Sequence, residues 1–354
     1  MNLDTSGSGT VTKLQDNRSQ RELVDFPALP FTDREAQLRE LHSRYIQPFY
    51  LSAEQCDFVG LHGVKLSARA WRSEASTATL MIVAGRNESH AKYAEVAYDF
   101  FTRGFDVFCF DHRGQGFSQR ELENSQIGWV ESFQAYVNDL SIFHEQQVVP
   151  RQKGPLFLLA HSMGATVSSL WLSQTRVRLA AAVFTAPMVE LILRPYPRFA
   201  VELMIERALK AGRDTDYIPG GRDLDVQRYG FDLTNSSARR AWNRDLFKTY
   251  PQIRLGSPSV RWLHEALRIE HKLTHVEFPR FVNCPLLVWQ AGQDQVVVSN
   301  FVKFARQSQT SFIIAYEAKA QHELLQETDA IRQRVMCQTL AFFEGWKHSG
   351  ESGI

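Results

Sequence analysis

The chain has 354 residues, 44% hydrophobic and 12% aromatic, enough to bury one large core or two modest ones. Forty Lys plus Arg against 39 Asp plus Glu leave a formal charge of +1, without the basic excess of a nucleic-acid-binding domain, so nucleic acid is not an expected partner. No run approaches the roughly 18–20 consecutive apolar residues of a bilayer span, which excludes integral insertion and leaves a soluble or surface-lying protein.

From Met1 to about Pro30 the chain is rich in Ser, Thr, Asp and Gly with little periodicity, and reads as a mobile arm. Met1–Gln20 also lacks the apolar run of a secretory signal, which points to the cytoplasm. A first helix is predicted next, with Thr32 as its cap and Leu38, Leu41 and Tyr45 at helical spacing. Strand-like runs at Phe58–Leu61 and Val64–Trp71 flank His62-Gly63, a tight-turn dipeptide that predicts an antiparallel hairpin.

The pattern then changes. Leu80–Ala84, Phe105–Phe110, Leu156–Ala160, Ala181–Thr185 and Leu286–Gln290 are short, nearly continuous apolar runs, the mark of parallel strands covered on both faces. Lys92–Thr102, Phe133–Gln147 and Ala165–Ser173 are long enough for crossover helices, so the fold class is α/β with a mainly parallel central sheet. About a hundred residues separate Ala186 from Leu286, far more than a crossover needs, and imply an inserted helical cap. The expected organisation is an arm over 1–30, core over 31–187, cap over 188–280, core again over 281–347 and a tail over 348–354. Within the cap, Val201, Met204, Ile205 and Ala208 make an apolar stripe, read first as a helix packing onto the core and second as an acyl-chain or membrane contact. The cap is mildly basic, with 16 Lys plus Arg against 12 Asp plus Glu.

Four scattered cysteines, Cys56, Cys109, Cys284 and Cys337, suggest buried reduced thiols and not a disulfide frame or zinc site. His264, His271 and His275 fall near helical spacing, but with no H-E-x-x-H pattern and no Cys partner they read as surface histidines. Asp111-His112-Arg113-Gly114-Gln115-Gly116-Phe117-Ser118 matches neither phosphate-loop fingerprint and reads as a structural turn beside the pocket.

The chemistry concentrates at Ala160-His161-Ser162-Met163-Gly164, which follows a strand and opens a helix, as a nucleophile elbow requires. Small residues at Ala160 and Gly164 suit a turn whose neighbouring backbones nearly touch. A serine hydroxyl needs a base, and Asp294 and His322 follow at the ends of later strands, in the chain order Ser, Asp, His of the α/β-hydrolase triad. Ser162 is assigned as nucleophile, His322 as general base and then acid, and Asp294 as the carboxylate that orients the imidazole. The oxyanion donors are assigned to the backbone N–H groups of Met163 and of Arg86, on the loop after Leu80–Ala84. The Arg86 side chain is read as solvated, with contact to an anionic substrate group as the second reading.

Taken together, these residues resemble the α/β-hydrolase superfamily, and within it the monoacylglycerol lipase and bacterial lysophospholipase group, nearest the L-two type of lysophospholipase. The resemblance spans about Phe58–Phe343. It rests on Gly85-Arg86-Asn87-Glu88-Ser89, Lys92-Tyr93-Ala94-Glu95, Phe110–Gly116, Ala160–Gly164, Thr185-Ala186-Pro187-Met188 and His322-Glu323. It implies an enzyme with a cap over an acyl pocket, acting through an acyl-enzyme with no cofactor. The implied substrate is a lysophospholipid or a monoacylglycerol, and the implied setting is peripheral contact with the cytoplasmic face of the inner membrane. Ala84-Gly85 stands where monoacylglycerol lipases usually have His-Gly, which favours the lysophospholipase branch. Another carboxylesterase or an aminopeptidase remains an alternative, the latter requiring cap carboxylates to anchor a substrate ammonium. A non-catalytic small-ligand-binding protein is the alternative outside enzymes.

Overall fold

The structure, a computed structural model, describes residues 26–193, 195–275, 284–298 and 312–347. α1 (Leu38–Leu41) and α2 (Gln47–Ser52), joined by a π-helical turn, precede the sheet. β1 (Glu54–Gln55) is followed by the hairpin of β2 (Phe58–Val59) and β3 (Lys65–Leu66), then by β4 (Ala68–Trp71). The hairpin turns where the sequence predicts it, with His62 and Gly63 both at positive φ. Its second strand is shorter than expected, because Asp57 holds the Ala68 N–H at 2.8 Å and β4 leaves to pair antiparallel with a core strand.

That core runs through β5 (Ala78–Val83), α3 (Ala94–Phe101), β6 (Phe105–Phe110), α4 (Phe133–Phe143), β7 (Leu156–His161), α5 (Met163–Gln174) and β8 (Ala181–Thr185). After the short β9 (Glu190–Leu191) come α6 (Arg198–Lys210), α7 (Ser237–Thr249) and α8 (Val260–His275), within the long interval. β10 (Leu286–Ala291), β11 (Val297–Val298), β12 (Phe312–Glu317) and α9 (Asp329–Trp346) complete the chain. Eight strands form one sheet in the order β1-β4-β6-β5-β7-β8-β10-β12, parallel from β6 to β12. This is the α/β-hydrolase architecture.

Every residue of β5, β6 and β7 is buried, because helices cover both faces and alternate side chains feed opposite layers. Met81 and Val83 join Phe133 of α4 and Trp171 of α5 on one face. Leu80 and Ile82 join Tyr98 of α3 and Phe343 of α9 on the other.

The stripe on α6 is apolar as predicted, but Val201, Ile205 and Ala208 pack against Val260, Leu263 and Leu267 of α8 and not directly onto the core. α8 in turn sends Trp262 and Ile269 into the core layer. α7 is held differently. Its Arg239 is buried and donates to Glu95 of α3, to the Glu327 carbonyl and to Asp329 of α9. Arg34 and Arg332 meet Asp99 in the same buried cluster.

Three sequence expectations need correction here. Residues 26–30 are not free: the Phe26 ring packs on Phe49, Tyr98 and Phe101, and the Pro27 carbonyl accepts from Tyr98. The remainder of the expected arm, residues 1–25, and the tail over 348–354 lie outside the described residues. Thr32 is exposed and caps nothing. The first turn begins at Glu35, whose N–H is taken by Asp329 while the Glu35 carboxylate accepts the Asp329 N–H, so two distant helices cap each other. Cys56, Cys109 and Cys284 are buried free thiols, but Cys337 is exposed.

Candidate active site

The strand register brings the predicted residues to one edge of the sheet. Val83 pairs with Ala160, His161 with Thr185 and Trp289 with Thr185, so the loops after β5, β7, β8 and β10 leave the sheet side by side at its carboxyl end. Two backbone bonds, Gly292 N–H to Glu317 at 2.9 Å and Gln293 N–H to Ala320 at 2.8 Å, stitch the Asp294 loop to the His322 loop.

Ser162 sits between β7 and α5 at φ 50°, ψ −119°, a conformation that costs a non-glycine residue about 1–3 kcal/mol. The turn is held by Ser162 N–H donating to Thr185 at 3.0 Å and Met188 N–H donating to Ser162 at 3.1 Å. A Cβ at position 164 would collide with the carbonyl oxygens of Val83 and Ala84, so the close approach read from the sequence requires Gly164.

Asp294, His322 and Ser162 form one chain of hydrogen bonds. His322 Nδ1 lies 2.7 Å from Asp294 Oδ2, and His322 Nε2 lies 2.9 Å from Ser162 Oγ. An imidazole protonated on Nδ1 donates to Asp294 and leaves Nε2 free to accept the Ser162 proton. Asp294 Oδ1 accepts the N–H groups of Val296 and Val297 at 2.8 and 3.0 Å. Burial opposes ionisation of Asp294, but His322 and these two donors outweigh it, and the carboxyl is held below its usual range. Ser162 and His322 are themselves buried, which strengthens each of these interactions.

Met163 is the first residue of α5, so its N–H has no intrahelical acceptor. Arg86 lies on the loop that leaves β5 beside Ala160, and that loop is firmly built. Gln115 donates to the Gly85 and Glu88 carbonyls at 2.7 and 3.1 Å, and Asn87 takes φ 60°. The segment Asp111–Ser118 therefore supports the loop after β5, as the structural reading expects. The Arg86 side chain is not solvated as expected. It turns toward the segment before α8, donates from Nη2 to the Gly256 carbonyl at 2.6 Å, and lies over the Trp262 ring of α8.

Sequence reasoning assigned no role to a buried charge cluster beside this site. Lys92 Nζ donates to Glu88 at 2.8 Å, to Glu323 at 2.6 Å and to the Tyr229 hydroxyl at 3.1 Å. Burial opposes ionisation of Glu88, but Lys92 and the neighbouring His161 prevail and hold its carboxyl at about 2. The available signal was the i,i+4 spacing of Glu88 and Lys92. Burial also pushes His161 down to about 4, so this ring is neutral near neutral pH. Among the described residues no group of His, Cys, Asp and Glu suits a metal ion.

An apolar groove of about 590 Å³ opens between β9, α6 and α8. Leu193, Tyr196, Met204, Ile218 and Trp262 contribute to its walls, as does Val296, whose N–H is bonded to Asp294. Tyr196, Phe199 and Leu203 nearby are 67%, 72% and 45% exposed. Among the described residues no helix is long and apolar enough to cross a membrane.

Residues 74–329 match the family described as "Serine aminopeptidase, S33". The chain is 31% identical over 314 residues to "Lysophospholipase L2" of Escherichia coli strain K12, covering 86% of this chain and 91% of that protein. A solved structure of a monoglyceride lipase from Saccharomyces cerevisiae superposes with a TM-score of 0.66 at 18% identity, over 83% of this chain and 95% of that one. A carboxyl esterase from Bacillus coagulans superposes at 0.64 and 16% identity, over 83% and 99%. The chain belongs to the serine aminopeptidase S33 family of α/β-hydrolases.

Proposed function

We propose that the protein hydrolyses the acyl ester of a lysophospholipid to a free fatty acid and a glycerophosphodiester. The observation that carries this reading is the Ser162–His322–Asp294 chain at 2.9 and 2.7 Å beside an apolar groove of about 590 Å³, within the range of about 300–1,000 Å³ usual for small-molecule sites. The similarity over 86% of this chain to a bacterial lysophospholipase supports the substrate class.

Ser162 Oγ attacks the ester carbonyl as its proton passes to His322 Nε2, and Asp294 supports the imidazolium. The N–H groups of Met163 and Arg86 receive the oxyanion, on the alignment of the two loops that flank Ser162. His322 then protonates the departing glycerol oxygen. A water deprotonated by His322 attacks the acyl-Ser162 ester and releases the fatty acid. Segment 188–280 serves as the cap, with the acyl chain in its groove. Exposed Tyr196, Phe199 and Leu203 suit contact with the membrane that supplies the substrate, at its cytoplasmic face.

Glu88 and Glu323, the carboxylates beside the triad but outside segment 188–280, both pair with Lys92 and so do not serve as an unpaired anchor for a substrate ammonium. Fatty-acid release by the wild-type protein from lysophosphatidylethanolamine, lysophosphatidylglycerol, a monoacylglycerol and an aminoacyl amide tests the reading. Preference for the two lysophospholipids is expected. Turnover of the amide alone, or tight lipid binding without turnover, would overturn it.

A further inference from the structure

Among the described residues the fully buried arginines are answered by carboxylates, while Arg120 and Arg86 are partly buried. Arg34 and Arg332 meet Asp99, Arg113 meets Asp139, and Arg239 meets Glu95. Arg120 has no carboxylate partner among the described residues, but it donates to four carbonyls, those of Gly114, Gly116, Gln252 and Arg254. Arg86 is different. Among the described residues it has no carboxylate partner, and its one hydrogen bond is from Nη2 to Gly256. Its Nε is shielded from solvent with no hydrogen-bond partner. The titratable groups that act on it are the phenols of Tyr136 and Tyr217, and burial lowers its pKa to about 10, so it remains charged at neutral pH.

Arg86 is partly buried, with its Nε shielded; a guanidinium part-withdrawn from water without a counter-charge is costly, and a fold retains one where something else supplies the anion. The site around Arg86 is also built for it. A Cβ at Gly128 would overlap the guanidinium, and Trp262 lies against its face at 5.2 Å from ring centroid to Cζ. Trp262 is at the same time a wall of the apolar groove, so the cation stands at the edge of the proposed acyl site.

We propose that the Arg86 side chain is a specificity-determining group that binds the phosphodiester of the substrate while the backbone N–H of the same residue faces the ester carbonyl. This rests on the acyl-ester reading above and adds the part of the substrate that the reading leaves unrecognised. The reach agrees. Five or six bonds separate the ester carbonyl carbon from phosphorus in a lysophospholipid, and five bonds separate Cα from Cζ in arginine. A planar fork with unused donors matches phosphate oxygens, whereas a neutral monoacylglycerol offers no charge to it.

The test compares kcat/KM for lysophosphatidylglycerol with kcat/KM for a monoacylglycerol of the same acyl chain, in wild type, Arg86→Met and Arg86→Lys. The ratio of the two is expected to fall about 10–100-fold in Arg86→Met, with the loss mainly in KM, and to be partly kept in Arg86→Lys. An unchanged ratio, with both substrates slowed alike, would overturn the proposal and leave Arg86 as a clamp between loop and cap. A second measurement needs only the wild-type protein. Glycerol 3-phosphate is expected to inhibit competitively at a concentration well below that of glycerol, and equal inhibition by the two would overturn the proposal even if the Met variant does not fold. Failure of the wild type to release acid from either lipid would instead overturn the acyl-ester reading itself.

Discussion

Lys92 ties the loop after β5 to the His322 loop. Its ammonium lies 2.8 Å from Glu88 and 2.6 Å from Glu323, the residue after His322, with all three side chains buried. The Tyr229 hydroxyl brings the cap interval into the same cluster through Glu323 at 3.2 Å. Three segments that must align for catalysis thus share one cation.

Removing that cation should be severe. Lys92→Met leaves two carboxylates buried together without compensation, and the expected loss is about 3–5 kcal/mol of unfolding free energy by urea titration. Activity per folded molecule should also fall. Adding Glu323→Gln to Lys92→Met should recover part of the stability, and full additivity of the two losses would contradict the account.

The elbow makes a second prediction. Because a Cβ at Gly164 meets the Val83 and Ala84 carbonyls, Gly164→Ala should cost about 1–3 kcal/mol and displace Ser162. Soluble, folded Gly164→Ala protein with wild-type turnover would show that the strand and turn are not so closely fitted.

How much of this is legible in the sequence depends on how local each cause is. Ser162, Asp294 and His322 are legible because each follows an apolar strand and the fold brings strand ends together. The capping of the first helix is not, since Asp329, and not Thr32, takes the Glu35 N–H from nearly three hundred residues away. Lys92 has no role in the sequence reading until Glu323, 231 residues on, is placed against it. The Arg86 side chain is misread for the same reason, because Gly256 and Trp262, about 170 residues on, reach it only in the folded chain.

Acid should destabilise the protein between pH 6.5 and 4. Burial holds His42, His112 and His161 at about 4 in the folded chain, against about 6.5 when unfolded. A depressed histidine pKa means that the unfolded state binds more protons between these values, so stability is lost as pH falls from 6.5 toward 4. Asp111 opposes this. Burial raises its carboxyl to about 7, a contribution present at low pH and lost as pH rises from 3.8 through 7. Three histidines against one aspartate leave a net loss of a few kcal/mol on acidification, measurable by urea titration at pH 7 and pH 4.5. Equal stability at the two pH values would contradict the burial of these rings.

The groove should set the acyl length. Ala200 lines it, and Ala200→Phe places a ring where the chain would lie. The ratio of kcat/KM for a sixteen-carbon over an eight-carbon lysophospholipid should fall about tenfold or more. An unchanged ratio would place the acyl chain elsewhere.

The most direct test of the account is fatty-acid release from lysophosphatidylglycerol by wild type and Ser162→Ala at matched concentration, with folding verified by circular dichroism. The Ser162–His322–Asp294 geometry predicts that the alanine protein loses activity by at least about a thousandfold. Release at the wild-type rate by Ser162→Ala would contradict the assignment of Ser162 as nucleophile.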